Sequence, residues 1–112
     1  MSDLFTDIQI KIKELDKSVR MLRNTGTEYA ESEKEYKIEL RKQALKLRTE
    51  KDMPVTLIQQ TVFGVPEVAE LRLKRDIAEA VYKANQEAIN SIKLQIRIME
   101  GQLDREWSGS GN

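Results

Sequence analysis

Apolar residues recur every three or four positions through most of this chain, and the pattern is interrupted only between its two prolines, Pro54 and Pro66. That spacing places apolar side chains along one side of an α-helix. Before Pro54 the positions are Leu4, Ile8, Ile12, Leu15, Val19, Leu22, Gly26, Tyr29, Glu33, Tyr36, Leu40, Ala44 and Leu47. The alternation of threes and fours predicts a heptad seam along one long helix, about residues 3–51.

The segment Asn24–Thr25–Gly26–Thr27 leaves two interpretations of this helix open. Its residue types are typical of a turn, which would divide the helix in two. The apolar positions keep the same phase on both sides of Gly26, and a turn would have no reason to preserve that phase. An interior glycine costs a helix only about 1 kcal/mol relative to alanine. We therefore favour a continuous helix that is weakened at Gly26, with Ser2 as its N-cap and Asp3 in its first turn.

The segment between the two prolines predicts a second, short helix. Residues 55–63 are too apolar for a solvated loop, and Gly64 supplies a helix stop. Pro66 then suits the first turn of a third helix, about residues 66–106. Its apolar stripe is Leu73, Ile77, Val81, Ala84, Ala88, Ile92, Ile96, Met99, Leu103 and Trp107. The mean step of about 3.8 residues predicts a helix that is straight or wound opposite to a left-handed coiled coil.

A second apolar face on the last helix predicts self-association. Leu94 and Ile98 lie on the side opposite Ile92 and Ile96, and a helix with two apolar faces needs two partners. We expect an all-α fold in which two long helices form an antiparallel coiled-coil hairpin with a short connecting helix, and two copies dimerise into a four-helix bundle. The hairpin would form one domain, residues 1–107, followed by a flexible tail, residues 108–112. The predicted protein-interface residues are Tyr82, Ile89, Leu94, Ile98 and Trp107.

The composition argues against most kinds of catalytic and metal site. The chain has no histidine, the commonest general base and transition-metal ligand, and no cysteine to form a disulfide, a thiolate nucleophile or a zinc finger. Its internal glycines stand alone and form no phosphate-binding loop. We therefore expect no catalytic residues, no metal site and no cofactor, and we expect a protein that is not an enzyme. No apolar run approaches the roughly 20 residues of a membrane span, so no membrane partner is expected.

Basic residues crowd the end of the first long helix and the start of the last. The candidate phosphate-contacting residues are Arg41, Lys42, Lys46, Arg48, Arg72, Lys74 and Arg75. Together they would make the connecting end of a hairpin a positive pole. Nineteen basic residues are balanced by nineteen acidic ones, and this balance argues against a protein that coats nucleic acid broadly. Ordinary solvated helix surface is the alternative interpretation of these cations.

The second half of the chain resembles a group of small proteins encoded by tailed phages of Gram-positive bacteria, in early regions near recombination and replication genes. The residues that carry the resemblance, within residues 36–107, are Pro54–Val55–Thr56–Leu57–Ile58, Gly64, Val68–Ala69–Glu70–Leu71, Tyr82, Asn90, Lys93, Ile96–Arg97 and Arg105–Glu106–Trp107. The resemblance implies a phage setting and a location in the bacterial host cytoplasm. It carries over no catalytic residues.

These observations lead to one leading hypothesis and two alternatives. The leading hypothesis is a non-catalytic phage protein that docks on a nucleic-acid-processing protein of phage or host, as a replication or recombination accessory or as an inhibitor of a host defence nuclease. The first alternative is an accessory protein that binds nucleic acid with the basic end of the hairpin. The second is a structural or scaffold coiled coil.

Overall fold

A computed structural model describes residues 3–110, which form two long helices with a short helical connection between them. Helix α1 is Leu4–Glu50, helix α2 is Val55–Thr61, a 3₁₀ turn follows at Val62–Gly64, and helix α3 is Pro66–Ser110. No strand occurs in residues 3–110. The all-α prediction and the order long–short–long are confirmed. Helix α3 continues beyond the predicted end near residue 106, and residues 111 and 112 lie outside the described range.

Asp3 provides the N-terminal cap of α1. Its Oδ1 accepts a hydrogen bond from the Phe5 backbone N–H at 3.1 Å, and its Oδ2 accepts one from the Thr6 hydroxyl at 2.9 Å. A capping carboxylate satisfies an N–H that has no partner inside the helix and interacts favourably with the helix dipole. The predicted cap, Ser2, lies outside the described residues.

Helix α1 passes through the segment 24–27 without interruption, which confirms the continuous-helix interpretation. Gly26 has an ordinary negative φ, so its backbone conformation does not require glycine. Space is restricted there instead. A Cβ atom at this position would lie 3.1 Å from Cε1 of Tyr82.

The connection between the long helices is held by a few backbone hydrogen bonds. Asp52 adopts the left-handed conformation with φ 50°, which turns the chain after α1, and the Met53 N–H donates to the Leu47 carbonyl at 3.2 Å. The Pro54 carbonyl then accepts from the first turn of α2. Pro66 stands at the first position of α3, where its missing N–H leaves no hydrogen bond unmade.

The chain packs as two compact units. Unit 2 is Thr25–Tyr82, and unit 1 comprises the residues up to Asn24 together with those from Lys83 onward. Unit 2 has a core in which α1, α2, the 3₁₀ turn and α3 all take part, formed by Tyr36, Ile58, Val62 and Val68 and surrounded by Leu40, Ala44, Leu47, Met53, Val65 and Leu71. In unit 1 the buried side chains are Ile8, Asn85 and Ile89.

The seam of α3 differs from the predicted stripe. Its buried and half-buried positions include Val68, Leu71, Arg75, Ala78, Tyr82, Asn85, Ile89, Ile92, Ile96, Met99 and Leu103. They alternate by threes and fours with a mean step of about 3.5 residues, the period of a left-handed coiled coil, so the predicted step of 3.8 is wrong. Leu73, Ile77 and Val81, which were expected in the seam, are exposed. Arg75 and Asn85 take seam positions instead, because each finds a polar or aromatic partner there.

The seam of α1 also differs from its prediction at alternate positions. Its inward positions include Ile8, Lys11, Leu15, Ser18, Leu22, Thr25, Tyr29, Ser32 and Tyr36. Ile12 and Val19, predicted in the seam, are exposed, and Lys11 and Ser18 face inward in their place. The helix is rotated relative to the prediction, so polar residues occupy four of these nine inner positions.

Candidate protein-binding surfaces

The inner face of the two long helices includes polar side chains, and the buried ones have hydrogen-bond partners. The Asn85 side-chain amide donates to the Ser18 carbonyl at 3.0 Å, and the Ser32 hydroxyl donates to the Glu28 carbonyl at 2.7 Å. Within the described residues no buried side-chain nitrogen or oxygen lacks a hydrogen-bond partner. Such a seam fixes geometry, but serine, threonine and asparagine bury little apolar surface and so gain little from the hydrophobic effect.

Large hydrophobic side chains lie outside this seam as well as within it. Among residues 3–110, sixteen large hydrophobic residues are exposed and seven hydrophobic residues are buried. Scattered exposed hydrophobics are normal on any protein, whereas an ordered row of them marks an interaction surface. Some of these exposed side chains form such a row.

One such row runs along α3. We name it the α3 row and define it as Leu73, Ile77, Val81, Ala84, Ala88, Leu94 and Ile98, all of which are exposed. From Leu73 to Ala88 the steps are three or four residues, and Ser91 continues that spacing to Leu94. Leu94 and Ile98 are 53% and 58% exposed, so the apolar face predicted for them is accessible.

The other predicted interface residues lie in different surroundings. Ile89 is 7% exposed and Tyr82 is half-buried, with its ring centroid 5.9 Å from that of Tyr29. Both side chains serve the interior, and a partner could not reach Ile89 unless the helices separated. Trp107, by contrast, is 72% exposed near the end of α3.

A groove in unit 2 was not predicted. It lies between α1 and the segment formed by α2 and the 3₁₀ turn, and its volume is about 930 Å³. Its apolar lining includes Ala30, Ile38, Leu40, Ala44, Val62 and Phe63. The sequence contained one signal for it: Ile38 is a large apolar residue outside the α1 seam, with the small residues Ala30 and Ala44 on either side along the chain.

Cations border this groove. Lys34, Lys37 and Arg41 line it together with Glu33. The Lys37 ammonium lies 3.5 Å from the Glu33 carboxylate, so these two charges neutralise each other. Lys34 and Arg41 have no carboxylate partner within residues 3–110, which leaves the border of the groove positive.

The predicted phosphate-contacting residues do not gather into one open site. The Arg72 guanidinium carbon lies 5.3 Å from the Phe63 ring centroid, the Lys74 ammonium is 3.1 Å from Glu35, and the Arg48 guanidinium donates to a backbone carbonyl. Arg75 is more strongly engaged. Its Nε lies 2.8 Å from Asp76, which raises the pKa of Arg75, and its guanidinium carbon lies 4.6 Å from the Tyr36 ring centroid. Arg41, Lys42 and Lys46 are the remaining three, and all are exposed.

Tyr29 has the most perturbed environment of the tyrosines. Its hydroxyl donates a hydrogen bond to the Glu79 carboxylate, and this bond is the main reason that the pKa of Tyr29 is raised. Burial and the negative charges of Glu79 and Glu33 act in the same direction. The group therefore keeps its proton and acts as a structural donor inside unit 2.

Residues 3–110 contain no group of three acidic side chains placed to hold a metal ion. Over the same stretch, none of the helices combines the length and the apolar character that crossing a membrane demands. Comparison of the chain with protein-family models, with curated proteins and with solved structures finds no match. The resemblance to early-region phage proteins therefore stays a prediction.

Proposed function

We propose that this chain is a non-catalytic protein-binding module: an antiparallel helical hairpin that joins a second copy along the α3 row and binds a further protein. One observation carries the proposal, namely that the seam between α1 and α3 contains polar side chains while larger hydrophobic ones stay exposed in ordered rows. Burying such a row against another protein gains roughly 25 cal/mol for each Å² of apolar surface.

Contacts within unit 2 support antiparallel pairing. Tyr29 packs against Tyr82, and Tyr36 packs against Arg75. Seven residues forward along α1 therefore correspond to seven residues backward along α3. Two long helices joined by a short connection favour the same arrangement.

The composition of the α3 row supports pairing with a second copy. Ala84 and Ala88, in the middle of the row, would let two α3 helices approach closely. Leu73, Ile77 and Val81 would then pack at one end, and Leu94 and Ile98 at the other. A face that pairs with itself around a two-fold axis closes the assembly at two copies, a four-helix bundle.

The resemblance to early-region phage proteins supports a partner among proteins that process nucleic acid, in phage or host. Direct binding of nucleic acid has less support, because Arg72, Lys74 and Arg75 already contact groups of the same chain. This lowers the number of cations that are free to neutralise phosphates.

Light scattering after size exclusion tests the self-association on which the proposal depends. The wild-type chain is expected to elute at twice its monomer mass at micromolar concentration. The double variant Leu94→Glu, Ile98→Glu is expected to be monomeric, because two buried carboxylates would lack partners in the interface. A wild-type monomer would contradict the dimer.

A matched control separates the α3 row from a general effect of charge. Gln86→Glu with Asn90→Glu also adds two carboxylates to exposed positions of α3, but outside the row. This control is expected to remain dimeric. If it dissociates as readily as the row variant, the α3 row is not the dimer interface.

A further inference from the structure

We propose that the groove of unit 2 binds an amphipathic helix whose polar side chains are mainly acidic, presented by another protein. The inference depends on the proposed protein-binding function and specifies the chemistry of the partner. It comes from three features of the groove: its shape, its charge and the flank of the molecule on which it lies.

The groove is shaped to receive side chains from a helix. Its lining combines the small residues Ala30 and Ala44 with the large apolar residues Ile38 and Phe63. The volume of about 930 Å³ is in the range of sites that enclose several side chains. Grooves of this kind take the apolar face of a helix, with contacts spaced three and four residues apart.

The charges at the border of the groove select an acidic helix. Lys34 and Arg41 are seven residues apart on α1, a rise of about 10.5 Å along the helix, and neither is neutralised within the described residues. Glu33 is the acidic residue in the lining, and Lys37 pairs with it. A bound helix with carboxylates two turns apart would meet both free cations. A basic helix would meet two charges of its own sign.

The position of the groove argues against a second copy as the occupant. Phe63, which lines the groove, contacts Arg72 of α3. Lys74, which pairs with Glu35, is two residues farther along α3 and therefore lies on a different side of that helix. Val81 of the α3 row is one heptad from Lys74 and shares its flank. If one copy placed its α3 row in the groove of another, its own groove would stay empty. A third copy could occupy that groove in turn, and the assembly would grow as an open chain. The groove therefore remains available when the α3 row is paired.

Fluorescence anisotropy with two synthetic peptides tests the inference. The first is a labelled helical peptide with leucines spaced three and four residues apart and glutamates at the flanking positions. The second carries lysine at each glutamate position. The wild-type chain is expected to bind the acidic peptide and to bind the basic peptide at least tenfold more weakly, roughly the effect of two close charge pairs. Equal binding of the two peptides, or binding of neither, overturns the proposal.

A matched pair of variants assigns the binding to the groove. Lys34→Glu with Arg41→Glu reverses the free cations, and Lys13→Glu with Arg20→Glu makes the same change in charge at exposed positions with the same spacing elsewhere on α1. Binding of the acidic peptide is expected to fall roughly tenfold in the first variant and to stay unchanged in the second. Circular dichroism checks that both variants remain helical. An equal loss in both variants overturns the assignment.

Two further measurements are needed. One distinguishes an acidic helix from nucleic acid as the ligand of the groove, and the other separates the groove proposal from the proposed dimer. A duplex DNA oligonucleotide that displaces the peptide, and whose own binding is lost in Lys34→Glu with Arg41→Glu, would assign the groove to phosphate and overturn the acidic helix. The Leu94→Glu, Ile98→Glu variant is expected to bind the acidic peptide like the wild type. If it binds while the wild type proves monomeric, the dimer fails and the groove assignment stands.

Discussion

The two units of this protein use the same long helices and the same heptad spacing, but they bury side chains to different extents. In unit 2, α2 and the 3₁₀ turn add Ile58 and Val62 to the contacts between α1 and α3, and Val68 is 0% exposed. In the described residues of unit 1, α1 and α3 have no such third element, and Phe5 and Leu94 stay exposed. A third element on one side of a helix pair is therefore enough to close a core, and a bare pair leaves its flanks open.

The added segment of unit 2 also explains why the two binding surfaces differ in shape. In unit 2 the added segment contributes to both the core and the groove, since Ile58 and Val62 belong to both and Phe63 lines the groove. The α3 row, by contrast, lies on the surface of a long helix, where its side chains are exposed. A concave surface fits a narrow partner such as a helix, whereas a flat row fits a surface like itself.

The largest expected effect of a substitution tests whether the closed core stabilises the protein. Val68→Ala should lower the free energy of unfolding by about 2 kcal/mol, because it removes two methyl groups from a fully buried site. Val19→Ala in unit 1 is the control and should change it by less than about 0.5 kcal/mol, since Val19 is exposed. Urea denaturation at one protein concentration measures both values. A similar loss in both variants would contradict the difference in burial between Val68 and Val19.

The next effect compares two glycines in the long helices, Gly26 and Gly101. Gly101→Ala should raise the free energy of unfolding by about 1 kcal/mol, because alanine favours helix and the new Cβ would meet only the flexible end of Arg105, at 3.7 Å. Gly26→Ala should gain less, because its Cβ would lie 3.1 Å from the Tyr82 ring.

Thermal or urea unfolding of each variant, and of each combined with Tyr82→Ala, separates the two causes. In the Tyr82→Ala background Gly26→Ala should recover the stabilisation of about 1 kcal/mol, while the effect of Gly101→Ala should not change. An equal gain from both glycine substitutions in the otherwise wild-type chain would show that the Tyr82 ring does not restrict Gly26.

The smallest effect concerns the Tyr29–Glu79 hydrogen bond of unit 2. Since the pKa of Tyr29 is raised in the folded chain, its contribution to stability is present below the unfolded value of about 10 and is lost as the pH rises through the folded pKa. Tyr29→Phe should therefore be less stable than the wild type at pH 8, and the difference should shrink above pH 10. Urea denaturation across that range measures it. A difference that is constant with pH would contradict the role given to the phenol.

The sequence was sufficient for the secondary structure and insufficient for the seam. Pro54 and Pro66 bound the connection, and the unbroken apolar phase across Gly26 correctly indicated one continuous helix. The seam was predicted from the most apolar positions, such as Val19 and Leu73, and both are exposed. The apolar pattern of one helix does not show which of its sides packs against the other helix when polar residues on the packed side find partners there.

The candidate surfaces show the same division. Exposure of Leu94 and Ile98 was predictable, because it follows from the faces of one helix. The groove was not predictable, because it depends on how α2 and Phe63 lie over α1, which is a tertiary contact. The engagement of Lys74 by Glu35, thirty-nine residues away along the chain, is of the same kind.

The hydrogen bond from Asn85 to the Ser18 carbonyl joins residues sixty-seven apart in the chain, and this separation determines the order in which contacts become possible during synthesis. Ser18 leaves the ribosome early but has no partner until Asn85 has been made. The contact between Tyr36 and Arg75 becomes possible ten residues sooner than that bond, and it closes a shorter loop at a cost lower by about 0.5 kcal/mol. The residues that are made first are therefore among the last to be paired.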